Sequence, residues 1–150
     1  IYTAFLFAQA EGRDLWQSPL LPFHLVVQAL MLGSGTFVLL GAMADLGPIP
    51  GIARGLFATT LVIDLFVTLV GEFTVPHASE VAAKAAHEIT KGKYKNMFWM
   101  GSVVLGHVVP LALLWPGVVA LGPVAVIAAT IGLYCYEHAF VMAPQEVANS

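Results

Sequence analysis

Apolar residues fall into four long runs, Phe23–Ala44, Ile52–Val75, Met97–Trp115 and Val118–Val141, parted by stretches where proline, glycine and charge collect. About 20 apolar residues at a rise of about 1.5 Å span a hydrocarbon core of about 30 Å, so each run is predicted to be a membrane-crossing helix. The breaks carry turn residues: Gly12, Pro19 and Pro22 in Glu11–Pro22, then Gly47, Pro48 and Pro50 in Asp45–Gly51, then Pro116–Gly117. Pro110 and Pro123 lie within spans, where neighbouring helices can tolerate them. Residues His77–Asn96 predict a short helix capped by Ser79, with Glu80, Lys84, His87, Glu88 and Lys91 on one side and Val81, Ala82, Ala85, Ala86 and Ile89 elsewhere. Its alanine-rich face is too weak for deep insertion and places it at the membrane interface. Ile1–Ala10 is apolar but too short to span, and the first cation is Arg13, so it reads as the end of a spanning helix that starts before this chain. The expected fold is all-α: a polytopic transmembrane helical bundle of four complete spans plus the end of a fifth and one short interfacial helix. Residues 1–22 form the truncated helix and linking loop, and 23–150 the bundle, with the interfacial segment 77–96 and a tail.

Composition agrees with that class. Of 150 residues 59% are hydrophobic and 10% charged, and mean hydropathy is +0.85, whereas soluble domains carry about 25% charged residues. A net charge of −3 without a basic patch gives nucleic acid no footprint. The single cysteine, Cys135, excludes a disulfide framework and any cysteine-ligated iron–sulfur cluster held by this chain alone. Electrons passing here need clusters in another subunit. Loops on one side hold Arg13, Lys84, Lys91, Lys93 and Lys95, and the other side holds Arg54, which predicts a cytoplasmic C-terminus in a multi-pass membrane protein. Trp16, Trp99 and Trp115 stand near predicted interfaces.

Candidate chemistry centres on Asp64, near the middle of the Ile52–Val75 run. A carboxylate at that depth costs about 2.5–3.5 kcal/mol on insertion scales, so it is expected to face a bundle interior or a wet path. Thr60, Asp64, Thr68 and Glu72 follow at i+4 spacing and share one face. His107 lies half-way through its own span, with Ser34, Thr36 and Thr130 at similar depth. A second polar layer, nearer the cytoplasm, is expected from His24, Gln28, Tyr134, Glu137 and His138 together with Thr68 and Glu72. Carboxylates and imidazoles suit a proton relay because their affinities for protons can be brought together by burial and pairing. The plainer readings stand beside it: Thr60 and Thr68 bonded to backbone carbonyls, Asp64 with His107 as a static pair joining two helices, and Glu72 snorkelling to solvent. His77, Glu80, His87 and Glu88 read as a solvated face rather than a metal site. His24 and His138 at similar depth leave a bis-histidine haem to be weighed against the absence of a second matched pair.

The order of several short motifs resembles the polysulfide-reductase membrane-subunit family (NrfD/PsrC type) over nearly the whole chain. Gly12-Arg-Asp-Leu-Trp-Gln-Ser-Pro-Leu-Leu-Pro22 resembles the loop joining that family's two helical bundles. Glu72-Phe-Thr-Val-Pro-His77, an alanine-rich segment, Gly92-Lys-Tyr and Phe98-Trp99 are similar to the middle of its second bundle, and Gly106-His-Val-Val-Pro110 and Ala143-Pro-Gln-Glu-Val147 to its later helices and tail. Ala148 departs from the tail, where a proline is expected. The resemblance implies a quinone-reactive membrane subunit of a respiratory complex, exchanging electrons between the quinone pool and a ferredoxin-like iron–sulfur subunit, with a molybdopterin oxidoreductase or cytochrome subunits as further partners. It implies relatives in alternative complex III, no haem in this subunit, and a quinone site mostly in the first bundle, outside this chain. Asp64, Glu72 and His107 are then the residues expected to move protons, with Thr60 and Thr68 lining the route. A structural anchor without chemistry and an ion-coupled secondary transporter stay open as alternatives.

Overall fold

A computed structural model describes residues 2–72, 76–77 and 79–147, excepting the side chain of Glu72. The chain folds into α1 (Tyr2–Ala8), α2 (Leu21–Met43), α3 (Ile49–Phe66, continued by a π-helical turn Val67–Glu72), α4 (Glu80–Thr90), a π-helical segment Met97–Val108 that runs into α5 (Val109–Leu114), and α6 (Gly122–Glu146), with short 3-10 turns at Asp14–Gln17 and Val119–Leu121. Among the described residues every regular element is helical. Four segments are long and apolar enough to cross a membrane: Leu21–Met43, Ile49–Gly71, Met97–Leu114 and Val119–Glu146. They follow the four apolar runs closely.

Proline opens three of these helices. Pro22, Pro50 and Pro123 each lie in the first turn of α2, α3 and α6, where a missing N–H costs nothing, whereas Pro110 stands inside its span, where the π-helical segment runs into α5. Gly47 and Gly117 turn the chain between spans with φ of 57° and 72°, which side chains disfavour. Helices α2 and α3 pack together, and α6 lies along the π-helical segment. That second contact is the closest in the bundle. A Cβ on Gly132 would stand 2.0 Å from the Gly106 Cα, so two backbones touch with no side chain between them.

The bundle is turned outward relative to a soluble one. Only 33–39% of each span is buried, and Phe23, Leu30, Ile52, Phe66, Val108 and Ile127 face out, as lipid requires. Two apolar cores lie inside. One, toward the 11–22 loop, joins Leu15, Leu21, Ala82, Ala85, Ile89, Phe98, Tyr136 and Phe140. The other, toward Arg54, joins Met31, Phe57, Leu61, Leu114, Val126 and Ala129.

Helix α4 forms as the sequence predicts, the Ser79 hydroxyl accepting from the Ala82 N–H at 3.1 Å. Its alanine face packs onto α6, and Lys84 and His87 stay exposed. Beyond it the Glu146 carboxylate takes hydrogen bonds from the Lys93 ammonium and, at 2.8 Å, from the Tyr94 hydroxyl. The Glu146 hydrogen bond holds Lys93 above its ordinary value, and loss of hydration raises the Tyr94 phenol.

Two side chains repair helix ends. Pro144 has no N–H to give the Phe140 carbonyl one turn back, and the Trp16 indole donates to that oxygen at 3.0 Å instead. This bond fastens the 11–22 loop to α6. Arg54 donates to the Leu114 carbonyl at 2.6 Å and the Val118 carbonyl at 3.1 Å, supplying a cation to the open C-terminal end of α5.

Two stability outcomes follow. Gly132→Ala must push the backbones apart and is expected to cost about 3 kcal/mol or more, the upper end for overpacking, read as a fall in thermal midpoint in detergent. Trp16→Phe keeps the ring but strands the Phe140 carbonyl, for a loss of about 1–3 kcal/mol in the same measurement.

Candidate functional site

The polar side chains that sequence places at two depths converge on Asp64. In the described span Ile49–Gly71, Asp64 sits seven residues from the Gly71 end (71 − 64), about 10 Å along the axis at the usual helical rise. His24 reaches it from the first turn of α2. The mid-membrane station and the second layer expected from the sequence are therefore partly one layer, because α2 and α3 are antiparallel and His24 lies at nearly the same height.

Asp64 is 2% exposed and lies between two imidazoles. Its Oδ2 is 2.9 Å from His107 Nε2, and its Oδ1 is 3.0 Å from His24 Nε2, close but off the line of a good hydrogen bond. His107 Nδ1 donates to the Ser102 carbonyl at 2.9 Å. His24, fully buried, has Thr68 Oγ1 at 3.3 Å and the Gln28 amide nitrogen at 3.2 Å from Nε2, and the Tyr136 hydroxyl at 3.3 Å from Nδ1. Gln28 in turn reaches the half-buried Glu137 carboxyl. Four helical segments thus contribute to one continuous polar chain, Tyr136–His24–Asp64–His107–Ser102, between the two apolar cores.

Local helix geometry aims His107. Its segment is π-helical over twelve residues, far longer than the single-turn bulge that is usual for this widened helix. The Val109 N–H bonds the Val104 carbonyl five residues back, just ahead of Pro110, which can donate nothing. In this register His107 lies over Ser102, its i−5 neighbour, and the Ser102 carbonyl fixes the ring. The Ser102 hydroxyl is fully buried and lacks a hydrogen-bond partner among the described residues.

Counting protons gives the site its chemistry. A carbonyl only accepts, so His107 Nδ1 carries a proton, and the 2.9 Å contact between Nε2 and Asp64 Oδ2 needs another. The pair therefore holds one proton more than a carboxylate facing a neutral imidazole, whichever atom carries it. Such a pair can release that proton and take it back without the imidazole ring turning.

Other sequence candidates lie apart from this chain. The Thr60 hydroxyl bonds the Leu56 and Phe57 carbonyls of its own helix at 2.9 and 3.0 Å. Ser34, Thr36 and Thr130 likewise bond their own turns. Tyr134 is 66% exposed on the outer face of α6. His138 lies between Tyr94, which it meets edge-on, and Tyr134, to which it is tilted, with centroids at 6.1 and 6.0 Å. Glu72 continues the π-helical turn, its side chain outside the described residues. Tyr136 and Ser102 are the members that sequence reasoning missed. Tyr136 carries a signal, since it falls one turn from Gly132, the small residue of the close helix contact. Among the described residues no group of three or more metal-binding side chains is placed to hold a metal ion.

Because Thr60 is satisfied by its own helix and Thr68 touches His24, the two threonines should respond differently. Thr60→Val is expected to leave stability at the wild-type level, read as an unchanged thermal midpoint in detergent. Thr68→Val takes the hydroxyl away from His24 and should cost about 1 kcal/mol in the same measurement.

No curated protein and no solved structure matches the chain. The family model described as polysulphide reductase, NrfD, matches residues 1–147. With four apolar spans around a buried acid, this multi-pass membrane protein belongs to the NrfD polysulphide reductase family, a family of membrane subunits of respiratory oxidoreductases.

Proposed function

We propose that the protein is the membrane subunit of a quinone-linked oxidoreductase, exchanging electrons with the quinone pool through an iron–sulfur partner, and that this bundle moves protons in step with that exchange. The His24–Asp64–His107 chain carries the reading. Burying a carboxylate and two imidazoles among apolar helices is costly, and here Asp64 and His107 share a proton across a hydrogen bond while His24 stands 3.0 Å from the other carboxylate oxygen. Electrons pass elsewhere, since one half-buried cysteine cannot hold a cluster. The iron–sulfur protein, a molybdopterin or cytochrome partner, an inner-membrane location and a cytoplasmic C-terminus belong to the same proposal, supported by family membership and by the one-sided distribution of Lys and Arg.

In this scheme Asp64 and His107 are the station that stores one proton, and His24, held by Thr68, Gln28 and Tyr136, is the group that delivers or removes it. The carboxylate lies within 3.0 Å of both rings, so a proton arriving on one side can leave on the other after a short shift. Exclusion of water by the two apolar cores keeps the proton on this line.

Asp64→Asn tests the station without breaking the helices apart. The asparagine amide can donate to His107 Nε2 and keep the link between α3 and the π-helical segment, but it cannot titrate. Quinol turnover and proton movement are measured together in vesicles containing the complex. The expected outcome is normal assembly with proton movement reduced about 10²-fold, the usual scale for losing a positioned acid–base group. Unchanged proton movement would reject the station and leave a structural anchor.

A further inference from the structure

A cavity of about 490 Å³ opens where the 11–22 loop meets the end of α3 and the start of α4. Its wall includes Asp14, Gln17, Leu20, Gly71, His77 and Ser79. At about 30 Å³ per liquid water it has room for more than ten molecules, and Asp14, Gln17, Ser18, His77 and Ser79 offer them partners in a wall that is otherwise apolar, with Leu15, Pro19, Pro76 and Ala82. The wall is held firmly: Ser79 donates to the Asp14 carboxylate while capping α4, and Trp16 ties the same loop to α6.

The floor of this cavity is one helical turn from the buried chain. Leu20 precedes His24 by four residues, and the His24 N–H bonds the Leu20 carbonyl at 2.9 Å. Gly71 follows Thr68 by three. The Leu20 side chain lies on Gly71, its methyl 3.0 Å from where a Cβ would stand. Beyond this contact come the two groups that touch each other at the site, Thr68 and His24. The opposite direction differs. Toward Arg54, Met31, Phe57 and Leu61 are sealed in the second apolar core, and each is at most 1% exposed.

Resting on the proton-station reading, we propose that this cavity is the aqueous port of the Asp64 cluster, and that Leu20 seated on Gly71 is the barrier between water and the His24–Thr68 contact. Asp14 and His77 at the wall are the carboxylate and imidazole that present protons to it. Glycine at position 71 leaves the space that Leu20 fills, so at this point, beside the packed core of Leu15, Leu21 and Ala82, the barrier is one flexible side chain. A rotamer change of Leu20 suffices to wet His24.

Cysteine accessibility tests this in membranes containing the protein. Cys135, the chain's single cysteine, is first replaced by alanine. Leu20→Cys, Thr68→Cys and the outward-facing Leu30→Cys are then exposed to a charged, membrane-impermeant thiosulfonate from each side. Leu20→Cys should react from one side only, that of α4 and Lys91, and Leu30→Cys from neither. Thr68→Cys should react about ten-fold more slowly than Leu20→Cys, because it is reached only through local opening, and adding Leu20→Ala should remove that difference. Should Leu20→Cys fail to accumulate, Gly71→Cys reads the same wall. A wall cysteine inert from both sides overturns the port, and Thr68→Cys reacting as fast with Leu20 intact overturns the barrier. The two failures stay separable: if Asp64→Asn abolishes proton movement while the wall is inert, the station stands and the port falls. If Asp64→Asn has no effect, the station falls, and the port with it, whatever the labelling.

Discussion

A carboxylate held between two imidazoles, inside helices whose outer faces are apolar, is the constraint to which the rest of this molecule answers. Each of the three groups alone would be expelled from such an interior or neutralised. Together they satisfy one another, and the Ser102 carbonyl at one end and the Tyr136 hydroxyl at the other close the line. Four helical segments must therefore keep a common height and rotation, since a displacement of about 1 Å takes a 2.9 Å contact beyond useful hydrogen-bond length.

The packing devices around the site serve that alignment. Gly106 and Gly132 bring the π-helical segment against α6 backbone to backbone, one residue from His107 and one turn from Tyr136. The widened helix ahead of Pro110 sets which way His107 looks. Trp16 repairs the carbonyl that Pro144 leaves open and so fixes the loop whose end carries Leu20 into α2. Arg54 closes the far end of α5. Backbone repairs that would pass unnoticed in water are prominent here because lipid offers no alternative partner.

The two ends of the bundle are unequal. On the Arg54 side Phe57, Leu61 and Met31 form a dry core directly above Asp64. On the loop side a core of Leu15, Leu21 and Ala82 also packs, but next to Thr68 the cover is one leucine over one glycine, beside a wide cavity that Asp14 and His77 help to line. A buried titratable group with unequal covers communicates with one aqueous phase more readily than with the other, a physical requirement for directional proton movement.

The four spans, the capped amphipathic helix at Glu80–Thr90 and the family are all legible in the chain, because lipid demands long apolar runs and backbone bonds closed within each helix. Asp64 and His107 stood out for the same reason, since charge within such a run has few explanations. The rotation of α6 was not legible: Tyr134 and Tyr136 are two residues apart, about 200° around a helix, and a helix apolar on nearly every side does not say which of them turns inward. Nor was the meeting of His24 with Asp64, residues forty apart whose heights depend on how α2 and α3 slide along each other. The twelve-residue π-helical segment was equally hidden, because widening depends on neighbouring backbones as well as on local composition. Sequence alone determined which residues are too polar for lipid; their partners were decided by helix rotation, vertical register and glycine contact, which exist only once the helices are packed.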